Sequence, residues 1–343
     1  MTSLGRKMLR KPEVRPDSPS RAGAFRGAPA PAILRNSIGL PAQFQKISRA
    51  ASLRRPMLPD VDFDSLVAVS GFVRARFQAM YPGASDTLLQ RMFRDVDALF
   101  AGRHPDYLPI DVRYHNLRHT LMATVCMGVL LEGRRSADGG EMLKERDFEL
   151  AIAGVLLHDS GYLKLRSDTG GTGAKYTYCH ILRSCAFAAS YLPQLGANDN
   201  EVENVLSAIN CTGPNSEIGR LVFRSHVSRV VGCALATSDY LGQLSDPLYP
   251  EKLGELFREF CESDDYVNVP PERRVFKSAN DLICRTPGFW THFVKPKLEK
   301  DFQSVYRFLS RPALSDQNAY LEAVEANFGK IALMVARIKA GAG

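Results

Sequence analysis

The sequence predicts an all-α fold, an irregular helical bundle, and three observations carry that expectation. After residue 60, apolar residues recur three and four apart through most of the chain. Gly and Pro stops separate these periodic stretches, at Pro82-Gly83, Gly139-Gly140, Gly161, Gly196, Gly213-Pro214, Pro247 and Pro270-Pro271. There is no set of alternating strands and no internal repeat. The predicted helices are Leu66–Tyr81, Thr87–Phe100, His115–Leu131, Arg146–His158, Tyr178–Leu192, Asn200–Ile209, Arg220–Leu241, Pro250–Glu262, Pro287–Leu309 and Tyr320–Lys339. Asp86 and Asn200 are the expected N-caps.

Composition divides the chain in two. Residues 1–60 hold twelve Lys/Arg, three Asp/Glu and eight of the twenty prolines, a net charge of +9. The remaining chain holds 32 basic and 34 acidic residues. The overall charge of +7 therefore belongs to the first segment and is no argument that the folded body binds nucleic acid. Residues 1–60 read as a basic, Pro/Arg-rich disordered leader with one short helix near Pro41–Leu53. Such a leader is a solvated tail, an arm for an acidic partner or membrane surface, or an organelle transit peptide. Residues 61–343 are expected to form one domain, since 45% of the chain is hydrophobic and a sizeable core can be buried. No apolar run is long enough for a transmembrane helix, and the start lacks a signal-peptide shape. Seven scattered cysteines without a CxxC pair read as reduced, mostly buried thiols of a cytoplasmic protein.

Four short segments hold most of the informative polar residues. Tyr114–His119 reads YHNLRH at the head of an apolar helix, and its two histidines are four apart, so on a helix they share a face. AIAGVLLHDSGY carries an apolar helix into His158-Asp159, and Gly161 breaks it. A histidine and a carboxylate at the end of a buried helix are costly unless paired or bound to metal. His180 stands in YTYCHILRSCAFAASYL, and Asp239 lies near the end of the apolar VVGCALATSDYLGQL. Singly, each reads as a hydrogen-bonded core group or a cap, as do His104, His226 and His292. Together, two imidazoles and two carboxylates suit a divalent metal, on helices that a bundle can converge on one point.

In that order, H…HD…D on helices resembles the HD-domain superfamily of metal-dependent phosphohydrolases, over roughly Arg113 to Gln243. YHNLRH also resembles the YHNxxH segment of cyclic-nucleotide phosphodiesterases. The resemblance implies a helical bundle of the HD/phosphodiesterase type that hydrolyses a phosphate ester, a nucleotide or another small one. It implies His119, His158, Asp159 and Asp239 as metal ligands and His115 as proton donor to the leaving oxygen. The chain departs from the pattern at Tyr162, where the phosphodiesterase HDxxH has its second histidine. It departs again at Cys211, in AINCTG, where some relatives place a histidine. The metal is left open among Mn, Fe, Zn, Mg and Ni, and so is a second ion. His180 is assigned to that second ion, to a water at the metal, or to phosphate.

In such a scheme a divalent ion lowers the pKa of bound water and polarises a phosphoryl oxygen. Asp159 ligates and orients the water, and a general acid protonates the leaving alkoxide. Lys164, Arg166, Lys175 and Arg118 are the cations expected to offset phosphoryl charge, or else are solvated surface charge. TGGTGAK, Thr169 to Lys175, looks like a phosphate loop but has Tyr176 where GK[ST] would end, so it reads as a flexible loop over the site. Two other readings stay open: an HD-fold di-iron oxygenase, and a non-catalytic binding or signalling module. Deleting residues 1–60 is expected to leave the thermal unfolding midpoint unchanged, because the segment has little apolar material to join a core. A large drop in Tm on truncation would show that it does.

Overall fold

A computed structural model describes residues 58–137 and 143–341. The leader, with its expected helix near Pro41–Leu53, lies outside the described residues, apart from its last three. Among the described residues there are ten α-helices and no strand, only one isolated bridge between Tyr107 and Leu165. The helices are α1 (Leu66–Met80), α2 (Thr87–Phe100), α3 (Leu117–Ser136), α4 (Glu145–Leu157) and α5 (His180–Tyr191). They continue with α6 (Asp199–Asn210), α7 (His226–Ser245), α8 (Tyr249–Tyr266), α9 (Ala279–Phe289) and α10 (Ala319–Gly341). No helix among them is long and apolar enough to cross a membrane. The seven cysteines form no disulfide.

Helices α3 and α7 form the centre. Both are buried almost all round, from Leu121 to Leu131 on α3 and from Val230 to Leu241 on α7. A helix without a polar face is a core helix, which the others must surround. Helices α1 and α4 pack on α3, and α4, α6 and α10 pack on α7. The central pair meets at Gly242, where an added Cβ would lie 2.9 Å from the Cα of Ala123. Only hydrogen at this position lets the two backbones close up.

Helix starts follow their caps more closely than their apolar period. Helix α7 begins at His226, not Arg220, because Ser225 Oγ accepts from Ser228 N at 3.0 Å. Helix α6 is capped by Asn198, not Asn200: its Oδ1 accepts from the amides of Asn200 and Glu201. Asp86 does hold the N-cap position of α2, but its carboxylate pairs with Arg74 at 2.6 Å and makes no cap bond. The expected long helix Pro287–Leu309 is instead several pieces. Helix α9 begins earlier, at Ala279, where Ser278 caps it and accepts from Asp281 N. Pro287 and Pro296 each lack a backbone donor, and the chain runs on in two π-turns, Trp290–Val294 and Lys297–Asp301. Gln303 and Ser304, both at positive φ, then end the helical path. Phe289 stacks on Phe293 and Trp290 packs against Phe328, so this aromatic pair belongs to the core.

The Thr169–Lys175 segment, read as flexible, is fastened. Thr172 donates through both its amide and its hydroxyl to Glu262 on α8. The amide of Gly173 donates to Asp111 at 2.7 Å, and a Cβ on Gly173 would lie 2.0 Å from the carbonyl oxygen of Tyr162. The loop is thus held against the segment that follows His158-Asp159.

The α3–α7 contact gives a direct test. Gly242→Ala should destabilise the fold by about 1–3 kcal/mol, the usual cost of overpacking, read by urea denaturation. A variant as stable as the parent would show that the two backbones can separate freely.

Candidate metal centre

Each residue of the centre is placed by a helix end or a short turn. In YHNLRH the cap is Asn116, whose side chain accepts from His119 N, so α3 starts at Leu117. His119 lies in its first turn, and His115 lies before the cap instead of on the helix. The two rings are still neighbours, with centroids 5.4 Å apart. His158 is the C-cap of α4, and Asp159 leads into a tight 3₁₀ turn, Ser160–Tyr162. That turn abuts the start of α5: a Cβ on Gly161 would sit 1.9 Å from the carbonyl oxygen of His180. Gly161 N donates to Ser184 Oγ at 2.8 Å and Arg183 Nε donates to Gly161 O at 2.7 Å, closing the junction. Asp239 arrives from α7.

These residues converge. His119 Nε2 lies 3.1 Å from Asp159 Oδ2 and 3.2 Å from Asp239 Oδ1. His158 Nε2 lies 3.4 Å and 3.6 Å from the same two oxygens. His180 Nε2 lies 3.7 Å from Asp159 Oδ1, the other oxygen of that carboxylate. His119, His158, Asp159 and Asp239 are buried, at 5%, 1%, 3% and 8% exposure, and His180 is half-buried. The close approaches are nonetheless not aligned as hydrogen bonds. His119 Nε2, His158 Nε2 and Asp159 Oδ2 are buried polar atoms without a hydrogen-bond partner. Stranding such atoms in a core is costly unless something else meets them. They could hold a metal ion, because ligand atoms of His119, His158 and Asp159 lie within 4.8 Å of one another.

The tautomers agree with that use. His158 Nδ1 donates to the carbonyl of Val155 and His180 Nδ1 to that of Thr177, both at 2.7 Å. With the proton on Nδ1, the lone pair of Nε2 faces the carboxylates, as it does in a metal-ligating histidine fixed by an outer hydrogen bond. The electrostatics agree as well. Burial, the largest influence, pulls the pKa of His119 down, but Asp159 and Asp239 overrule it and lift it to about 10. His158 is raised against its burial by the same two carboxylates. Burial pushes both carboxyls up, yet the facing histidines bring Asp159 and Asp239 below the usual carboxylate range. His180 goes the other way, lowered chiefly by burial. The cluster therefore favours positive charge at one point, and a divalent cation fits that point.

Two further residues, Glu259 and Gln243, escaped the sequence reading, and Tyr162 entered it only as a departure from HDxxH. Glu259 of α8, 4% exposed, accepts from His115 Nδ1 at 2.6 Å and from Tyr114 N at 2.7 Å. Gln243 donates to Asp239 Oδ1 at 3.3 Å and accepts from the Tyr114 hydroxyl at 2.8 Å. Tyr162, at the HDxxH position, packs its ring on His115 and His180, with centroids 4.6 and 4.7 Å away.

The four cations expected near substrate all have partners inside the fold. Lys164 pairs with Asp111 at 2.8 Å and donates to Gly171 O. Lys175 pairs with Asp168 and donates to Gly170 O. Arg166 donates to the carbonyls of Gly102, His104 and Pro105. Arg118 grips both oxygens of Asp246 and also reaches Asp64 at 2.6 Å.

No model of a known protein family and no curated protein sequence matches the chain. Function must be argued from the geometry. The purified protein is expected to carry about one divalent transition-metal ion per chain. His158→Ala and Asp159→Ala should each lose it; elemental analysis that finds the full complement in either variant overturns the ligand set.

Proposed function

We propose that this chain is a metal-dependent hydrolase of a small phosphate ester, its centre held by His119, His158, Asp159 and Asp239. The reading is carried by the three buried, partnerless ligand atoms that meet at one point beside His115. A divalent ion at that point would supply an activated water and neutralise charge on a phosphoryl oxygen.

The chain's own residues supply the rest. Glu259 takes the Nδ1 proton of His115 in a hydrogen bond and thereby fixes the ring. With Nδ1–H committed to Glu259, Nε2 is the ring atom left to give a proton to the leaving alkoxide. Tyr162, packed on both His115 and His180, keeps the two rings in place and keeps water out between them. Gln243 holds Asp239 by its carboxylate oxygen, and Tyr114 holds Gln243 in turn. His180, with its Nδ1 committed to Thr177, has Nε2 free to accept a proton or orient a water near Asp159.

One observation favours a second reading. Asp159 turns one oxygen to His119 and His158 and the other to His180, which is the disposition of a bridging carboxylate. Two ions would then be held, and oxidative di-iron chemistry joins hydrolysis as a candidate. Metal content tests the second reading: it requires about two irons per chain, and about one ion per chain removes it.

The proton-donor role has a sharper test. A ribose-type alkoxide needs a proton to leave, whereas a nitrophenolate does not. His115→Ala should keep its metal and lose about 10²-fold or more in turnover of an alkyl phosphate ester, the scale of a general acid, and much less on an aryl ester. Glu259→Gln should show the same pattern in milder form. Equal losses on both esters with metal retained would remove the role from His115.

A further inference from the structure

At the N-terminal end of α7, away from the centre just described, lies a cleft of about 510 Å³. Its lining includes Ser216, Glu217, Arg229, Lys297, Lys300 and Asp301. Arg229 and Asp239 stand ten residues apart on α7, about 15 Å at the helical rise, so the cleft is distinct from the centre. We propose that it binds the phosphoryl group of a small, non-aromatic phosphorylated molecule.

Three observations support this, and none depends on the hydrolase reading. First, Arg229 Nε is buried and has no hydrogen-bond partner. A buried donor left unpaired wants an acceptor, and a guanidinium matches phosphate geometry best of all. Second, the charge in the cleft is not balanced in place. Three cations face two acids, and Glu217 is turned outward to pair with Arg220 at 2.8 Å, being 63% exposed. Asp301 is 3.7 Å from Lys297 and half exposed, a weak screen. Lys297 itself is held with little freedom: its ammonium lies over the rings of Phe293 and Phe302 and donates to Ser216 O at 3.3 Å. A cation preset in this way loses little entropy on binding. Third, the wall that carries Lys297, Lys300 and Asp301 is a π-turn, a rare conformation that is frequent at functional sites. The volume suits a small ligand. No aromatic ring lines the cleft, so nothing there would stack on a nucleobase, which points to a phosphorylated polyol or similar polar body.

The test is calorimetric titration of inorganic phosphate and pyrophosphate into the full chain. The parent, Arg229→Gln, Lys300→Gln and the metal-centre variant His158→Ala are compared. Saturable binding should survive in His158→Ala. It should weaken at least about tenfold in Arg229→Gln, the scale of one lost charge-assisted hydrogen bond, and severalfold in Lys300→Gln. Lys300 is exposed, so its variant keeps the test decisive should Arg229→Gln fail to fold. Absence of binding overturns the proposal. So does binding that disappears only in His158→Ala, or that neither cleft variant changes.

Discussion

The arrangement of the centre depends on Asp159, a carboxylate almost wholly removed from water at the end of a buried helix. An ion in that position must be met by opposite charge, since desolvation otherwise exceeds what folding can offset. Histidines from α3, the end of α4 and α5 meet it, two at one carboxylate oxygen and one at the other. The need explains local features that would be odd alone. Helix α4 stops where it does so that its last imidazole and the carboxylate after it can turn inward. Gly161 follows because α5 must come within main-chain contact to deliver His180. Asp239, coming from the core helix α7, shares the same two imidazoles and spreads the positive charge over two carboxylates.

Around that set runs a second circle of bonds whose members come from far along the chain. Glu259 meets His115 across 144 residues, and Gln243 meets Tyr114 across 129. Tyr114 serves both, giving its amide to Glu259 and its hydroxyl to Gln243. Tyr114, two residues ahead of the cap of α3, thus ties together α7 and α8. Tyr162 completes the enclosure as a ring between rings. At the position where the phosphodiesterase pattern has a histidine, this chain has a packing group.

What the sequence made legible follows from contrast. His119, His158, Asp159 and Asp239 stood out because each lies at or near the end of an apolar helix, and a polar group there needs a reason. The all-α architecture was legible for the same cause, since apolar period and Gly/Pro stops agree over most of the body. Glu259 was not legible, although it lies on the stripe of Tyr249, Leu253, Leu256 and Ser263. Helix α8 carries acids at 251, 255, 259, 262, 264 and 265, so nothing local marks Glu259 out from the others. Helix α9 hid behind Pro287, which sits in its last turn where it reads as a start. Its true beginning is the Ser278 cap with Asp281 three residues on. The lysines after Asp159 misled in another way. Lys164 and Lys175 are almost fully buried with carboxylate partners, Asp111 and Asp168, that lie within the loops themselves.

The aromatic packing between Trp290 and α10 has an optical consequence. Trp290 is the chain's single tryptophan, 6% exposed and seated on Phe328 of α10. Light absorbed at the red edge of the aromatic band is taken up by this one indole. Its emission therefore reports the seating of α10 on the π-turn that begins at Trp290, while the tyrosines beside the His119–His158–Asp159 cluster stay dark at that wavelength. Loosening of the C-terminal helix can be followed by colour alone.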